Sequence, residues 1–178
     1  MFLGSSTTNQ ITKTTVESPL GPLTAAFQGE DLIGLWFEGQ KYYPSKAKDW
    51  LPSRGGARDS QLRQWLAAYF AGEKPEPFPG LRPPGTFFQM AVWAELERIA
   101  YGQTITYGQI AGILAQKLSF NPRSAQAVGG AVAHNPISIL IPCHRVIGNR
   151  GSLTGYAGGL DRKKILLSLE GFTDFLPT

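Results

Sequence analysis

Five of the chain's thirteen prolines (Pro75, Pro77, Pro79, Pro83 and Pro84) fall within Gly72–Gly85, together with three glycines. Proline fixes φ and lacks a backbone donor, so neither a helix interior nor a central strand can run through such a stretch. The chain therefore folds as two blocks of regular structure, and the spacing predicts a first domain over 1–82 and a second over 83–178. With 178 residues there is length for two small domains or one large one, and a real core in either case. A hydrophobic share of 42% against 17% charged residues excludes a disordered polar chain.

Residues 1–10 are rich in Ser and Thr and are expected to fray. Thr12 to Phe37 reads as short strands broken at Ser18-Pro19-Leu20-Gly21-Pro22 and at Gln28-Gly29-Glu30-Asp31. Between Gln61 and Phe70, Leu62, Trp65, Leu66 and Tyr69 recur at helical spacing, which predicts a core-facing helix. Beyond the prolines, Thr86 with Gln89 forms a capping-box signal ahead of an apolar stripe of Phe88, Val92, Leu96 and Ile99. Thr106 with Gln109 repeats that signal for a short helix through Leu114. Asn121-Pro122 then opens a helix running to about Val132.

Two short helices joined by a turn form a helix-turn-helix, the arrangement that presents its second helix to a duplex. That second helix carries Arg123 as its one basic residue, then Ser124, Ala125, Gln126, Ala127, Gly129, Gly130 and Ala131. Readers of the major groove use long polar side chains. A face of small residues fits two other uses: close approach of backbone to the minor groove, or tight packing against a neighbouring helix. Charge bears on the same question. Arg98 to Lys164 holds eight basic residues and one acid, Asp161, whereas residues 1–82 nearly balance at nine against eight. A basic second half fits a polyanion, nucleic acid ahead of membrane, and equally fits a solvated basic face. There is no signal-peptide pattern and no apolar run near the ~20 residues of a membrane helix. A cytoplasmic location and no membrane partner are the expectation, because a lone cysteine suits a reducing compartment.

That cysteine is Cys143, in the run Ile139-Leu140-Ile141-Pro142-Cys143-His144-Arg145-Val146-Ile147-Gly148. An apolar, strand-like segment runs into a proline and then a thiol with an imidazole beside it. The thiolate is the reactive form, and a neighbouring base is how proteins populate it near neutral pH. An internal disulfide is impossible with one cysteine, and one cysteine with two histidines falls short of the ligand set of a structural zinc.

Pro142-Cys143-His144-Arg145-Val146 resembles the active-site signature of the O6-alkylguanine-DNA alkyltransferases. The likeness continues through Ala127-Val128-Gly129-Gly130, Asn135-Pro136, Gly155-Tyr156-Ala157-Gly158-Gly159, Leu166-Leu167 and Glu170-Gly171. It includes Gly85-Thr86-Phe87-Phe88-Gln89 with Val92-Trp93, and Tyr101-Gly102 with Thr106-Tyr107-Gly108. The resemblance is close over residues 83–173 and loose before them. It implies an α+β fold: a small, mostly antiparallel, ribonuclease H-like sheet domain, then a mainly helical, winged-helix-like domain containing the helix-turn-helix. It also implies a substrate, double-stranded DNA containing alkylated bases, acted on by a monomer without a cofactor.

By the same resemblance, Cys143 is the nucleophile that takes the alkyl group. His144 is its general base through a water, Glu170 orients that imidazole, Asn135 ties the helix-turn-helix to the active-site turn, and Tyr107 donates a hydrogen bond to the base and helps the guanine leave. Val146, Tyr156, Ala157 and Gly158 line the extruded base; Arg123, Ser124, Ala125, Gln126, Ala127 and Gly129 meet the DNA. Most of the family has an arginine where this chain has Gln126, a residue that cannot stack as a guanidinium does. Alkylation of a thiol gives a stable thioether, so the chain would react once. Two other readings stand beside this one. A lesion-binding protein without chemistry would lack the cysteine, and a cysteine hydrolase would turn over and draw its histidine from far along the chain.

Overall fold

The computed structural model describes residues 10–117 and 124–173. Strands β1 (Ile11–Val16), β2 (Leu23–Gln28) and β3 (Asp31–Phe37) form an antiparallel meander, with the two-residue β4 (Leu51–Pro52) parallel to β1. The breakers expected from the sequence are the turns between these strands. Period-two alternation sends Leu23, Ala25 and Phe27 into the main core, whereas Ala26 faces a second cluster with Ile33 and Trp36. The predicted first-half helix is α1 (Ala57–Phe70), which lays Leu62, Leu66 and Tyr69 on the main-core face of the sheet.

The proline-rich stretch is pinned rather than loose. Leu32 of β3 bridges Leu81, its N–H donating to the Gly80 carbonyl at 2.9 Å while the Arg82 N–H donates back at 2.9 Å. Further along β3, Leu35 bridges Ile137, with bonds of 2.8 Å to Pro136 and from Ser138. A sheet edge must be paired or blunted, and here the linker and the second half share that task. Phe78 is buried within the same stretch under the guanidinium of Arg58.

In the second half, α2 (Phe87–Leu96) opens on the expected box: the Gln89 N–H donates to Thr86 Oγ1 at 3.3 Å and the Thr86 N–H to Gln89 Oε1 at 2.9 Å. Thr106 and Gln109 repeat it after β5 (Ile105–Thr106), at the head of α3 (Tyr107–Lys117). Helix α3 runs three residues past the expected Leu114, carrying the Lys117 ammonium to Glu95 of α2 at 2.8 Å. Helix α4 (Ala125–Ala133) follows; Asn121, Pro122 and Arg123 lie outside the described residues. Strand β6 (Val146–Ile147) pairs in parallel with β5, and α5 (Leu160–Leu169) closes the fold. One hydrophobic cluster joins Leu23 and Phe37 of the sheet to Trp93, Leu96, Val128 and Ile141.

One local expectation is overturned. Ile139-Leu140-Ile141 is not a strand: after the Ile137 bridge the chain turns, with Ile139 in the left-handed region at φ 70°. A β-branched residue pays roughly 1–3 kcal/mol for that conformation. Surrounding bonds over-determine the turn, since the Asn135 amide donates to the carbonyls of both Ile137 and Ile141.

Candidate active site

The turn at Ile139 delivers Pro142 and then a single 3-10 turn, Cys143–Arg145, into the core. Cys143 is 4% exposed, and its sulfur accepts a hydrogen bond from Asn135 Nδ2 at 3.0 Å. Asn135, just past the end of α4, receives the Ile137 N–H on Oδ1 at 3.0 Å, which fixes its amide orientation. Its NH2 group then serves the two carbonyls and the sulfur. Burial pushes the Cys143 thiol up, opposed by the Asn135 bond and by the nearby positive charge of Lys163.

His144 is fully buried. Its Nε2 lies 2.8 Å from Glu170 Oε1, and its Nδ1 is buried with no hydrogen-bond partner among the described residues. An ionised carboxylate only accepts, so Nε2 carries the proton and Nδ1 presents a lone pair. Burial pulls His144 below its ordinary value, against the upward pull of Glu170. The neutral imidazole is thus favoured.

Glu170 caps the C-terminus of α5, where a solvated side chain would be ordinary; instead it is 6% exposed. Burial alone would raise its carboxyl, but hydrogen bonds from His144 and Arg145 outweigh that and hold it well below the usual carboxylate range. Arg145 grips both oxygens, Nε to Oε2 at 2.7 Å and Nη2 to Oε1 at 2.9 Å. Tyr69 donates to Oε1 at 2.7 Å and the Gly102 N–H to Oε2 at 3.1 Å. Such a bidentate pair with added donors is the geometry that makes a buried charge tolerable.

Tyr107, at the start of α3, donates to the Thr154 carbonyl at 3.0 Å and lies within the electrostatic reach of Cys143. Burial raises its hydroxyl, so it stays a neutral donor. Gly155 has φ 56°, and a Cβ there would sit 3.1 Å from the Tyr107 oxygen. Gly158 is as constrained, because a Cβ would meet the Tyr156 and Phe37 rings at 2.6 and 3.2 Å. The loop from Gly155 to Gly159 is also tied to the first half. The Lys41 N–H donates to the Ala157 carbonyl at 3.0 Å, and Arg162 joins Gly158 to Leu20. Tyr156 Oη is buried near Ser138 and has no hydrogen-bond partner among the described residues. Val146 is completely buried in β6, its carbonyl turned to Lys163.

On α4, Ser124, Ala125, Gln126 and Gly130 are exposed and Ala127 and Gly129 half-buried, while Val128, Ala131 and Val132 face the core. The small residues thus fall on both sides, with Ser124, Ala125 and Gly130 facing outward and Gly129 and Ala131 packed inward. Arg123 lies outside the described residues. The structure therefore brings Cys143, His144, Asn135, Glu170 and Tyr107 around one buried turn and leaves the α4 residues on a separate outer face.

Three participants escaped the sequence reading. Tyr69 reads as core packing, and it is packed, but its hydroxyl reaches Glu170. Arg145 stands in the quoted motif without a role. Lys163 looks like one of three solvated basic residues, yet it is fully buried. A signal existed for Lys163: with Leu166, Leu167 and Glu170 it falls at i, i+3, i+4 and i+7, one helix face. Among the described residues, no group of three or more His, Cys, Asp or Glu could hold a metal ion.

Comparison with known proteins points in one direction. A model of the 6-O-methylguanine DNA methyltransferase ribonuclease-like domain matches residues 11–82, and one of that family's DNA binding domain matches residues 87–172. A methylated-DNA–protein-cysteine methyltransferase of Mycobacterium tuberculosis is 48% identical over 159 residues, covering 88% of this chain and 90% of its own. One from Methanosarcina acetivorans is 46% identical over 155 residues, covering 87% and 95%. The crystal structure of Mycobacterium tuberculosis OGT in complex with DNA superposes with a TM-score of 0.79 at 45% identity, covering 89% of this chain and 92% of that one.

Proposed function

Because the chain belongs to the 6-O-methylguanine DNA methyltransferase family, we propose that it is a DNA repair protein that moves an alkyl group from guanine O6 to Cys143. It binds duplex DNA through α3 and α4, with Ser124 to Gly129 against the minor groove. The damaged base lies inside the stack, so the nucleotide is rotated out at a cost of about a few kcal/mol. The base then sits between Tyr107, Val146 and the Tyr156-Ala157-Gly158 loop.

The observation that carries this reading is the state of His144, the residue after the lone cysteine: Nε2–H on Glu170, and Nδ1 buried without a partner among the described residues. Nδ1 takes the thiol proton through a water, leaving an imidazolium held by the carboxylate. The Cys143 sulfur attacks the alkyl carbon, the carbon–O6 bond breaks, and its electron pair stays on the purine. Tyr107 donates a hydrogen bond to the leaving base as that charge develops, and the proton gained by His144 returns to the purine through water, leaving the imidazole neutral. The product is a thioether with no labile ester, so each chain reacts once.

Cys143, His144, Asn135, Glu170 and Tyr107 all come from one chain, and the proposal takes the protein as a monomer. A free thiol as nucleophile fits the reducing cytoplasm. No helix among the described residues is long and apolar enough to cross a membrane. The division at 82/83 gives the two halves separate work: the second carries the chemistry, and the first buttresses its loop.

Intact-protein mass after incubation with a duplex bearing O6-methylguanine tests the reading. The chain should gain one methylene, about 14 Da, saturating at one per molecule, and Cys143→Ala should gain nothing, because the thiolate is the acceptor. Tight duplex binding without that gain would leave a lesion-binding protein in place of a transferase. Continued turnover would indicate a hydrolase.

A further inference from the structure

Lys163 is a fully buried cation for which the reaction above has no use. From the middle of α5 its Nζ donates to the carbonyls of Val146 and Thr154, each at 2.6 Å. Neither partner is charged. An ammonium taken out of water and met only by carbonyls is expensive, and such a group persists where a negative charge forms beside it.

The surrounding groups narrow the identity of that charge. Glu170, seven residues on along the same helix, already receives Arg145, His144, Tyr69 and Gly102. Arg145 is spent on Glu170, and Arg162 is engaged with the Leu20 and Gly158 carbonyls. His144 is neutral, and burial holds the Tyr107 and Tyr156 hydroxyls in their neutral forms. What remains is Cys143, three residues before the Val146 carbonyl that Lys163 holds and the neighbour whose ionisation would raise Lys163. The two anchors fit as well: Val146 follows the Cys143 turn directly, and the Thr154 carbonyl that Lys163 holds is the one Tyr107 uses.

Building on the alkyl-transfer reading, we propose that Lys163 is a positioning residue that supplies the counter-charge to the Cys143 thiolate and fixes the carbonyl on which Tyr107 hangs. The ammonium makes a negative sulfur affordable in a site that excludes water. Burial pulls Lys163 down to about 8 while Cys143 pulls it up, and burial pushes the thiol up while Asn135 and Lys163 pull it down.

Two variants separate charge from support. Lys163→Gln keeps two N–H donors for the two carbonyls but removes the charge, whereas Lys163→Arg keeps the charge. The readout is the pH profile of Cys143 alkylation by iodoacetamide, with thermal unfolding followed in parallel. Lys163→Gln should move the thiol midpoint up by about one pH unit, or about tenfold in rate near neutral pH. Lys163→Arg should stay near the wild-type midpoint. A folded Lys163→Gln with an unmoved midpoint overturns the assignment, even if its melting temperature falls.

Should the glutamine variant fail to fold, the wild-type chain still decides. The NMR titration of the Lys163 ε-methylene should shift to lower pH after S-methylation of Cys143, and an unchanged midpoint overturns the proposal. Neither thiol measurement uses DNA. A shifted midpoint therefore upholds Lys163 even in a chain that takes no methyl group from the duplex, the result that would overturn the repair reading instead.

Discussion

Glu170 shows how much one side chain at a helix end can organise. Its two oxygens collect five donors from Tyr69, Gly102, His144 and Arg145. Removing it leaves the Arg145 guanidinium buried without a counter-charge, so Glu170→Ala should lose about 3–5 kcal/mol in urea unfolding. It should also slow transfer, because nothing would then fix the His144 tautomer. A stability loss under about 1 kcal/mol would mean that water replaces the carboxylate. His144 and Glu170 also set the acid limit of the fold. Both have folded values below their unfolded ones, so the unfolded chain binds more protons as pH falls. The contribution of His144 is complete above its unfolded value of about 6.5 and declines below it; that of Glu170 follows below about 4.3. The urea midpoint should therefore drop between pH 7 and 5 in the wild type and change less in His144→Gln.

At the scale of elements, the proposed function assigns α4 to the DNA and the Gly155–Gly159 loop to the base. The outer face of α4 is small and uncharged, with Gln126 exposed on it. Glutamine can hydrogen-bond an orphaned base but does not attract phosphate. Gln126→Arg should tighten binding to alkylated duplex and steepen the salt dependence by about one unit in log–log slope, as one added phosphate contact does. Unchanged affinity with an unchanged slope would show that position 126 does not reach the DNA. The loop is a different kind of element. It is held by glycines that admit no side chain and by Lys41 and Arg162, so its shape is inherited from both halves of the chain.

The whole molecule is more unified than its two blocks of sequence imply. Leu81 and Ile137 both complete the edge of β3, and one cluster runs from the sheet through α2 and α4 to the active-site turn. Tyr69 of α1 reaches Glu170 across 101 positions. With this much shared burial, calorimetry should find a single transition with van't Hoff and calorimetric enthalpies in agreement. Two resolved transitions would indicate that the halves keep separate cores.

Local rules gave much of this protein directly from its residues. Alternation and turn chemistry delimit β1 to β3, and Thr86 and Gln89 cap α2 by a bond pattern that needs only four residues. The proximity of Cys143 and His144 is covalent and could not have been otherwise. The spacing of Lys163 and Glu170 was equally available, but a lysine reads as solvated until its surroundings are known. Long-range packing decided the rest. Ile139 reads as strand because its side chain is apolar and β-branched; the Asn135 amide and the β3 edge force it into a left-handed turn. Glu170 at a helix end has no local reason to be buried, and the arrival of Tyr69 and Arg145 is what makes it buried and ionised. The physical reason is common to both cases. Periodicity and capping act over a few residues and are written in the chain, whereas burial and pairing of charge depend on which distant segments share the core.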